Sequence, residues 1–444
     1  MPYVPHTPAD EKAMLDVIGA PSIDHLFREI PENLRIKGEL NIPAALDEHK
    51  LFGNLAELAS RNVDLVKTKC FLGAGIYDRY VPASVGAVLS RGEFLTAYTP
   101  YQPELSQGYL QTIYEFQSMV SELFGVDLAN ASMYDGATAM AEAAIMAHGI
   151  TGRTKLAVSR AVHPHYRQVM ETYCWSVDLE VATIDTTNGL TTDFSSVDSE
   201  TACVIVQYPN FFGTIEDLAA VRDAARSVGA MFIVVADPTA CALLKPPGEF
   251  DADIVVGEGQ PLGIAMGFGG PLLGLFGCKQ EHVRRIPGRI VGKTTDHDGR
   301  PGYAMTLRTR EQDIRREKAT SNICTNEALM ALAATVYMSA LGKNGMQTVA
   351  KASVQNTQYA IKQFAQSGIP LRFPNQRVFG EFVLQLPVAP DGLCEQLLSD
   401  GYLAGLPLGH YYEELSDCLL VAVTETRTKQ EIDEFVRKIS KLTR

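Results

Sequence analysis

From about Val63 to Thr325, short runs of consecutive apolar residues alternate with stretches that set apolar side chains three or four apart. The first pattern suits strands buried on both faces and the second amphipathic helices. Their alternation predicts an α/β sheet covered on both sides. The clearest unit lies between Cys203 and Asp237. Cys203–Gln207 (CVIVQ) reads as a buried strand, and Thr214 with Asp217 three residues on reads as a helix-capping pair. Leu218, Val221, Ala225 and Val228 follow at helical spacing, and Gly229 ends the helix. Met231–Asp237 (MFIVVAD) is the next strand, and Ala252–Val256 (ADIVV) a third that runs into a glycine-rich loop. Strand, helix and strand in so short a span imply parallel strands joined by a right-handed crossover. Ligands of such sheets lie beyond the carboxyl ends of the strands, which directs attention to Asp237 and the loop after Val256.

The flanks read differently. Residues 1–62 form short helical stretches punctuated by Pro21, Pro31 and Pro43, too small for a core of their own, and are expected to pack on the main body as an arm. Residues 63–325 are the large α/β domain. In 326–444, Asn326–Leu341 is an alanine- and methionine-rich helix, Phe379–Leu386 and Cys418–Val423 are strand-like, and Lys429–Leu442 is a closing amphipathic helix. The expected fold is therefore a large, doubly wound, mostly parallel sheet domain with a smaller C-terminal α+β domain and an N-terminal helical arm. Many pyridoxal-phosphate enzymes share that plan, but a topology does not by itself establish a function.

Composition narrows the classes. Of 444 residues, 46% are apolar and 20% charged, as in an ordinary globular protein. No apolar window reaches the roughly 20 residues needed to cross a bilayer. The N-terminal MPYVPHTPADEKAMLDVIG has no basic start followed by an apolar run, so a cytoplasmic location is expected. The eight cysteines include no C-x-x-C pair and no histidine at ligand spacing, which argues for reduced thiols and against a metal site. A net charge of −13 argues against nucleic acid. The charge is uneven: His282–Lys318 holds ten Lys/Arg against five acids. That stretch reads either as a solvated charged helix and loop or as a patch that receives an anionic substrate or acidic partner.

Several segments carry candidate chemistry. Tyr134–Ala139 (YDGATA) leads into an apolar helix, and Gly136, Ala137 and Thr138 would leave its N-terminus open to an anion, although Asp135 beside it would repel a phosphate. The plainer reading is a capped helix. Asp237, at a strand end before Pro238, could hold a pyridinium nitrogen protonated or could cap the next turn. His163 and His165 (AVHPHYR) could meet a ring or simply be loop residues. The loop Gly257–Gly277 has eight glycines in twenty-one residues, which suits close approach to a backbone, a ligand or a subunit. A self-sufficient pyridoxal enzyme would carry its imine-forming lysine there, yet no Lys or Arg lies between Lys245 and Lys279. Thr99–Gly108 (TPYQPELSQG) and Lys318–Asn326 (KATSNICTN) are loops rich in polar and aromatic groups.

FLGAGIYDRYVP (Phe71–Pro82), TAYTPYQPELSQG (Thr96–Gly108), SMYDGATAMAEA (Ser132–Ala143), GEGQPLGIAMGFGGP (Gly257–Pro271) and LRTREQDIRREKATSNICT (Leu307–Thr325) together resemble the glycine-cleavage P-protein family, in particular the first subunit of its two-subunit bacterial form. The resemblance spans nearly the whole chain. It implies a fold-type-I pyridoxal-phosphate-transferase-like architecture and a heterotetrameric enzyme. In that enzyme glycine is decarboxylated through pyridoxal phosphate, and the aminomethyl group passes to the lipoyl arm of the H-protein. The cofactor lysine belongs to the second subunit, in an H-K-T motif ending in GGP. Counting back from the GGP of this chain puts Gln260 at its place. A degenerate cofactor pocket is then expected from Asp135, Gly136, Ala137, Thr138, His163, Asp237 and Gln260. Active sites of this fold are built across a dimer interface, so Thr99, Tyr101, Gln102, Ser106 and Gln107, and then Thr320, Ser321 and Asn322, are expected to enter the partner's site. Their hydroxyls and amides suit phosphate and carboxylate oxygens. Arg308, Arg310, Arg315, Arg316 and Lys318 would form a rim for substrate or partner. Two alternatives stand beside this reading. One is a self-sufficient pyridoxal-phosphate lyase or transferase using Lys245 or Lys279, and the other is a scaffolding subunit that only docks the H-protein.

Overall fold

The computed structural model describes residues 5–443, and the chain forms two compact units, Met1–Val63 and Asp64–Arg444. The first holds the helices Pro8–Ile18, closed by a capping box between Thr7 and Asp10, and Glu48–Ala59, capped by Asp47. Only Ala20 is buried among its described residues, while Val17, Ile36 and Phe52 are exposed. It has no core of its own.

The second unit is built on an eight-stranded sheet. Its strands are β1 (Leu128–Ala129), β2 (Lys155–Ser159), β3 (Glu180–Thr187), β4 (Leu190–Asp193), β5 (Thr201–Tyr208), β6 (Met231–Ala236), β7 (Ile254–Glu258) and β8 (Gly274–Cys278), in the order β1-β8-β7-β6-β5-β2-β3-β4. The five central strands β7, β6, β5, β2 and β3 are parallel. The edges are antiparallel: β8 against β7, β1 against β8, and β4 against β3. Because side chains alternate across a strand, Val204, Val206, Phe232 and Val234 enter the apolar cluster on one face. Cys203, Ile205, Ile233 and Val235 enter that on the other. This is the doubly covered sheet that the continuous apolar runs predict.

Local differences from the sequence pattern have physical causes. The helix after β5 is Leu218–Ser227, and its cap is Asp217, whose carboxylate accepts the N–H groups of Ala219 and Ala220. Thr214 is not part of the cap; its hydroxyl is buried without a partner. The helix expected from Asn326 begins at Ala328, because the Asn326 amide is drawn to the Ala131 carbonyl and the Ser132 hydroxyl. It continues to Gln366 through a break at Gly342, where φ is +60°. Half of the basic stretch is an antiparallel hairpin, Ile290–Thr295 with Pro301–Thr306, rather than a charged helix. A small antiparallel sheet (Glu381–Gln385, Cys418–Ala422 and Leu406–Pro407) and the helix Lys429–Leu442 complete the C-terminal part. Among the described residues no helix is long and apolar enough to cross a membrane.

Candidate functional site

The parallel strands deliver their carboxyl ends to one edge, where Gln207, Asp237, Glu258, His163 and the segment Gly75–Tyr77 surround a cavity of about 40 Å³. That is room for a few water molecules. Asp237 lines the cavity and takes the capping role through one carboxylate oxygen. Its carboxylate accepts the N–H groups of Thr239 (2.6 Å) and Ala240 (3.1 Å) and caps the turn Pro238–Cys241. His163 is buried, its Nδ1 accepts the His165 N–H at 3.1 Å, and its Nε2 lies 2.9 Å from the Ala74 carbonyl. Those partners fix the tautomer with the proton on Nε2. Burial pushes the His163 pKa down to about 4, so the ring is neutral. One face of it stacks on Tyr166 of the same chain, 4.8 Å between centroids.

The helix Gly136–Thr151 starts at this edge, as YDGATA predicts. Asp135 is its cap and accepts the Thr138 N–H at 2.7 Å. The Gly136 N–H, an unsatisfied donor of the first turn, donates to Glu258 at 3.0 Å. The other Glu258 oxygen accepts the N–H groups of Gln260 (2.9 Å) and Leu273 (3.0 Å). Burial raises the Glu258 pKa to about 7, while these three N–H bonds pull it down. Gly136 leaves no space of its own: a Cβ there would collide with the Tyr166 hydroxyl and press on the Glu258 N–H. Glu258 escaped the sequence reading, which sought the missing amine and passed over an acid two residues earlier. The available signal was a carboxylate inside the apolar run IVVGE, where a buried charge needs dedicated partners.

Gln260 is buried and fully bonded. Its side-chain oxygen accepts the Tyr77 N–H at 2.9 Å, and its amide donates to the carbonyls of Tyr77 (3.1 Å) and Ile264 (2.8 Å). The two lysines that could replace an amine here are elsewhere. Lys279 is paired to Asp251 and Asp253 at 2.6 and 2.9 Å; burial works against its charge, but the carboxylates outweigh it and raise its pKa. Lys245 lies over the Phe250 ring. Pyridoxal phosphate therefore does not fit this pocket. There is no amine for an imine, and a carboxylate holds the helix start where a phosphate would bind.

The expected partner-facing loops converge at a second place. The Tyr101 ring lies under the guanidinium groups of Arg289 (5.9 Å) and Arg308 (5.2 Å). Arg289 is buried and ties the 320s loop down, donating to the Cys324 carbonyl at 2.7 Å and to Thr325 and Asn326 at 3.3 Å. Glu311 lies 4.0 Å from both Arg289 and Arg308. Arg289 is the second residue missed from sequence, though a lone charge at the entry to the apolar strand Ile290–Val291 marked it. Gln107 and Arg310, expected as ligand-facing, are committed to backbone instead. The Gln107 amide bridges the Tyr303 N–H and carbonyl, and the Arg310 guanidinium binds the carbonyls of Ile286, Leu307 and Gly288. Ser321 accepts the Ile323 N–H. Gln102, Asn322, Arg315, Arg316 and Lys318 are exposed.

A sheet with a parallel centre, its pocket at the strand ends and a small antiparallel sheet after it define the fold-type-I pyridoxal-phosphate class, here with the carboxamide of Gln260 beside the pocket. Solved structures sharing the fold alone include a NifS-like protein (TM-score 0.63, 12% identity, 84% of this chain and 99% of that one) and an alanine–glyoxylate aminotransferase from Nostoc sp. (TM-score 0.60, 14%, 94% and 100%). The chain belongs to the glycine cleavage system P-protein family, whose profile matches residues 1–439, and with it to a glycine-decarboxylating enzyme. It is similar to the crystal structure of an inhibitor-bound glycine decarboxylase (P-protein), with a TM-score of 0.91 and 41% identity over the whole of both chains. It is 51% identical to a probable glycine dehydrogenase (decarboxylating) subunit 1 of Geobacillus sp., over 98% of each chain, and 48% identical to one of Desulforamulus reducens, over 99% of each.

Proposed function

We propose that this chain is the non-lysine subunit of glycine decarboxylase: a second P-protein subunit binds pyridoxal phosphate covalently, and this one completes that subunit's active site across a dimer-like interface. The observation that carries the reading is Gln260, a carboxamide locked by three hydrogen bonds to Tyr77 and Ile264 at the place of an imine-forming lysine. Two such pairs would form an α2β2 tetramer, and the aminomethyl product would pass to the lipoyl arm of the H-protein.

The groups offered to the partner's site are Thr99, Tyr101, Gln102 and Ser106, then Thr320, Ser321 and Asn322. Support comes from the convergence of both segments on Arg289 and from the amides of Gln102 and Asn322. Those amides are exposed and bond to nothing among the described residues. The rim of Arg308, Arg315, Arg316 and Lys318 supplies cations suited to the glycine carboxylate or an acidic docking surface, while Arg310 and Gln107 hold the scaffold of that rim. Phe268, 95% exposed at the tip of the glycine-rich loop, is an apolar contact for the partner. The chemistry of the cofactor is placed wholly in the partner; this chain binds, orients and excludes water.

The test is to purify each subunit alone and mixed, reduce with borohydride in the presence of the cofactor, and locate the adduct by peptide mass. Glycine–bicarbonate exchange is measured in parallel. The expected result is an adduct on the partner and exchange only in the mixture. A reduced adduct on this chain alone would overturn the proposal. Normal turnover in a Ser106→Ala complex would remove that residue from the site and favour a scaffold.

A further inference from the structure

Three N–H groups from three segments converge on one carboxylate. Gly136 comes from the start of a 16-residue helix, Gln260 from just past the end of β7, and Leu273 from the far side of the glycine-rich loop. All three are donors at 2.9–3.0 Å, and none offers an acceptor, so the set is complementary to an anion. We infer that Glu258 is the built-in occupant of an oxyanion cradle: its carboxylate stands where a ligand's phosphate would, and the pocket is sealed by its own chain.

Three further observations agree. Tyr166 closes on Gly136 from the side, leaving no space for a Cβ. Asp135 places a second carboxylate at the helix start, so an incoming anion meets two negative charges and finds the Gly136 N–H already taken. Glu258 also joins the helix, the strand end and the returning loop with one side chain, the mechanical tie that a bound phosphate would otherwise supply. Loss of the lysine removes the covalent anchor; Glu258 removes the need for, and the access of, the anion.

Glu258→Ala should open the cradle. In the full-length chain, titration with inorganic phosphate at mildly alkaline pH, read by calorimetry and by slowed hydrogen exchange at Gly136, Gln260 and Leu273, should show the variant binding at least about tenfold more tightly than the wild type. Glu258→Gln, which still fills the space, should gain little. Equal phosphate affinity in the wild type, no gain in a folded Glu258→Ala protein, or the same gain in Glu258→Gln would each overturn the inference. If Glu258→Ala folds only poorly, phosphate but not chloride of equal ionic strength should restore it, and absence of that rescue counts equally against the idea. The outcome is independent of which subunit carries the covalent cofactor, because no cofactor is used.

Discussion

Replacing Glu258 with glutamine should remove a defined part of the pH dependence of stability. The carboxyl is buried and its pKa rises from 4.5 to about 7 on folding, with burial the largest cause. The folded state therefore holds a proton that the unfolded chain has released. Stability from this group is fully present below the unfolded value and is lost as pH rises through the folded one. Between about pH 5.5 and 7.5, these two values give a loss of about 2 kcal/mol, from 1.36 kcal/mol for each pH unit in the steep part of the window. Glu142 and Glu381 are likewise pushed to about 7 by burial and act in the same direction, so the informative quantity is the difference between proteins. Guanidinium denaturation followed by circular dichroism at the two pH values should show the wild type losing about 2 kcal/mol more than Glu258→Gln. Equal losses would mean that Glu258 does not titrate in that window and that the three N–H donors hold it ionised throughout.

Three other outcomes follow from the geometry. Tyr101→Ala removes a ring held under two guanidinium groups; if it supports the partner's site, exchange in the assembled enzyme should fall about tenfold, the rate equivalent of about 1.4 kcal/mol. Size-exclusion chromatography should meanwhile show normal assembly, and unchanged exchange would remove Tyr101 from the site. Arg289→Met deletes hydrogen bonds to Cys324, Thr325 and Asn326, a loss of about 3 kcal/mol at about 1 kcal/mol each. It should expose the loop 320–326 to proteolysis, and an unchanged digestion pattern would contradict the role given to that arginine. Gly274→Ala would drive a Cβ into Met133 and the Asp135 carbonyl, and should lower the thermal midpoint by an overpacking cost of about 2 kcal/mol or more.

The sheet was legible because burial on both faces forces uninterrupted apolar runs, and Cys203–Gln207 and Met231–Ala236 could hardly be anything else. The absence of an amine between Lys245 and Lys279 was equally plain, since it needs only the order of residues. What sequence could not deliver was how partnerless groups are satisfied. Asp237 lay open between a ring nitrogen and a cap, and only its distances to the Thr239 and Ala240 N–H groups show that one of its oxygens caps the turn. Gln107 and Arg310 looked like ligand-facing groups by type, yet both answer unpaired backbone of the hairpin and the turn before it. Glu258 and Arg289 were harder to read for the converse reason: each is a charge at the edge of an apolar strand, and most of its partners lie far away in sequence. An anion site can be lost in two ways, by deleting its donors or by filling it. At the helix start in YDGATA the Gly136 N–H is bonded to Glu258 and the Thr138 N–H to Asp135, so these donors are present and occupied, which fits the second. On the inference drawn above, one glutamate ties the helix start, the end of β7 and the glycine-rich loop through three N–H donors, the arrangement by which a helix start can hold a phosphate.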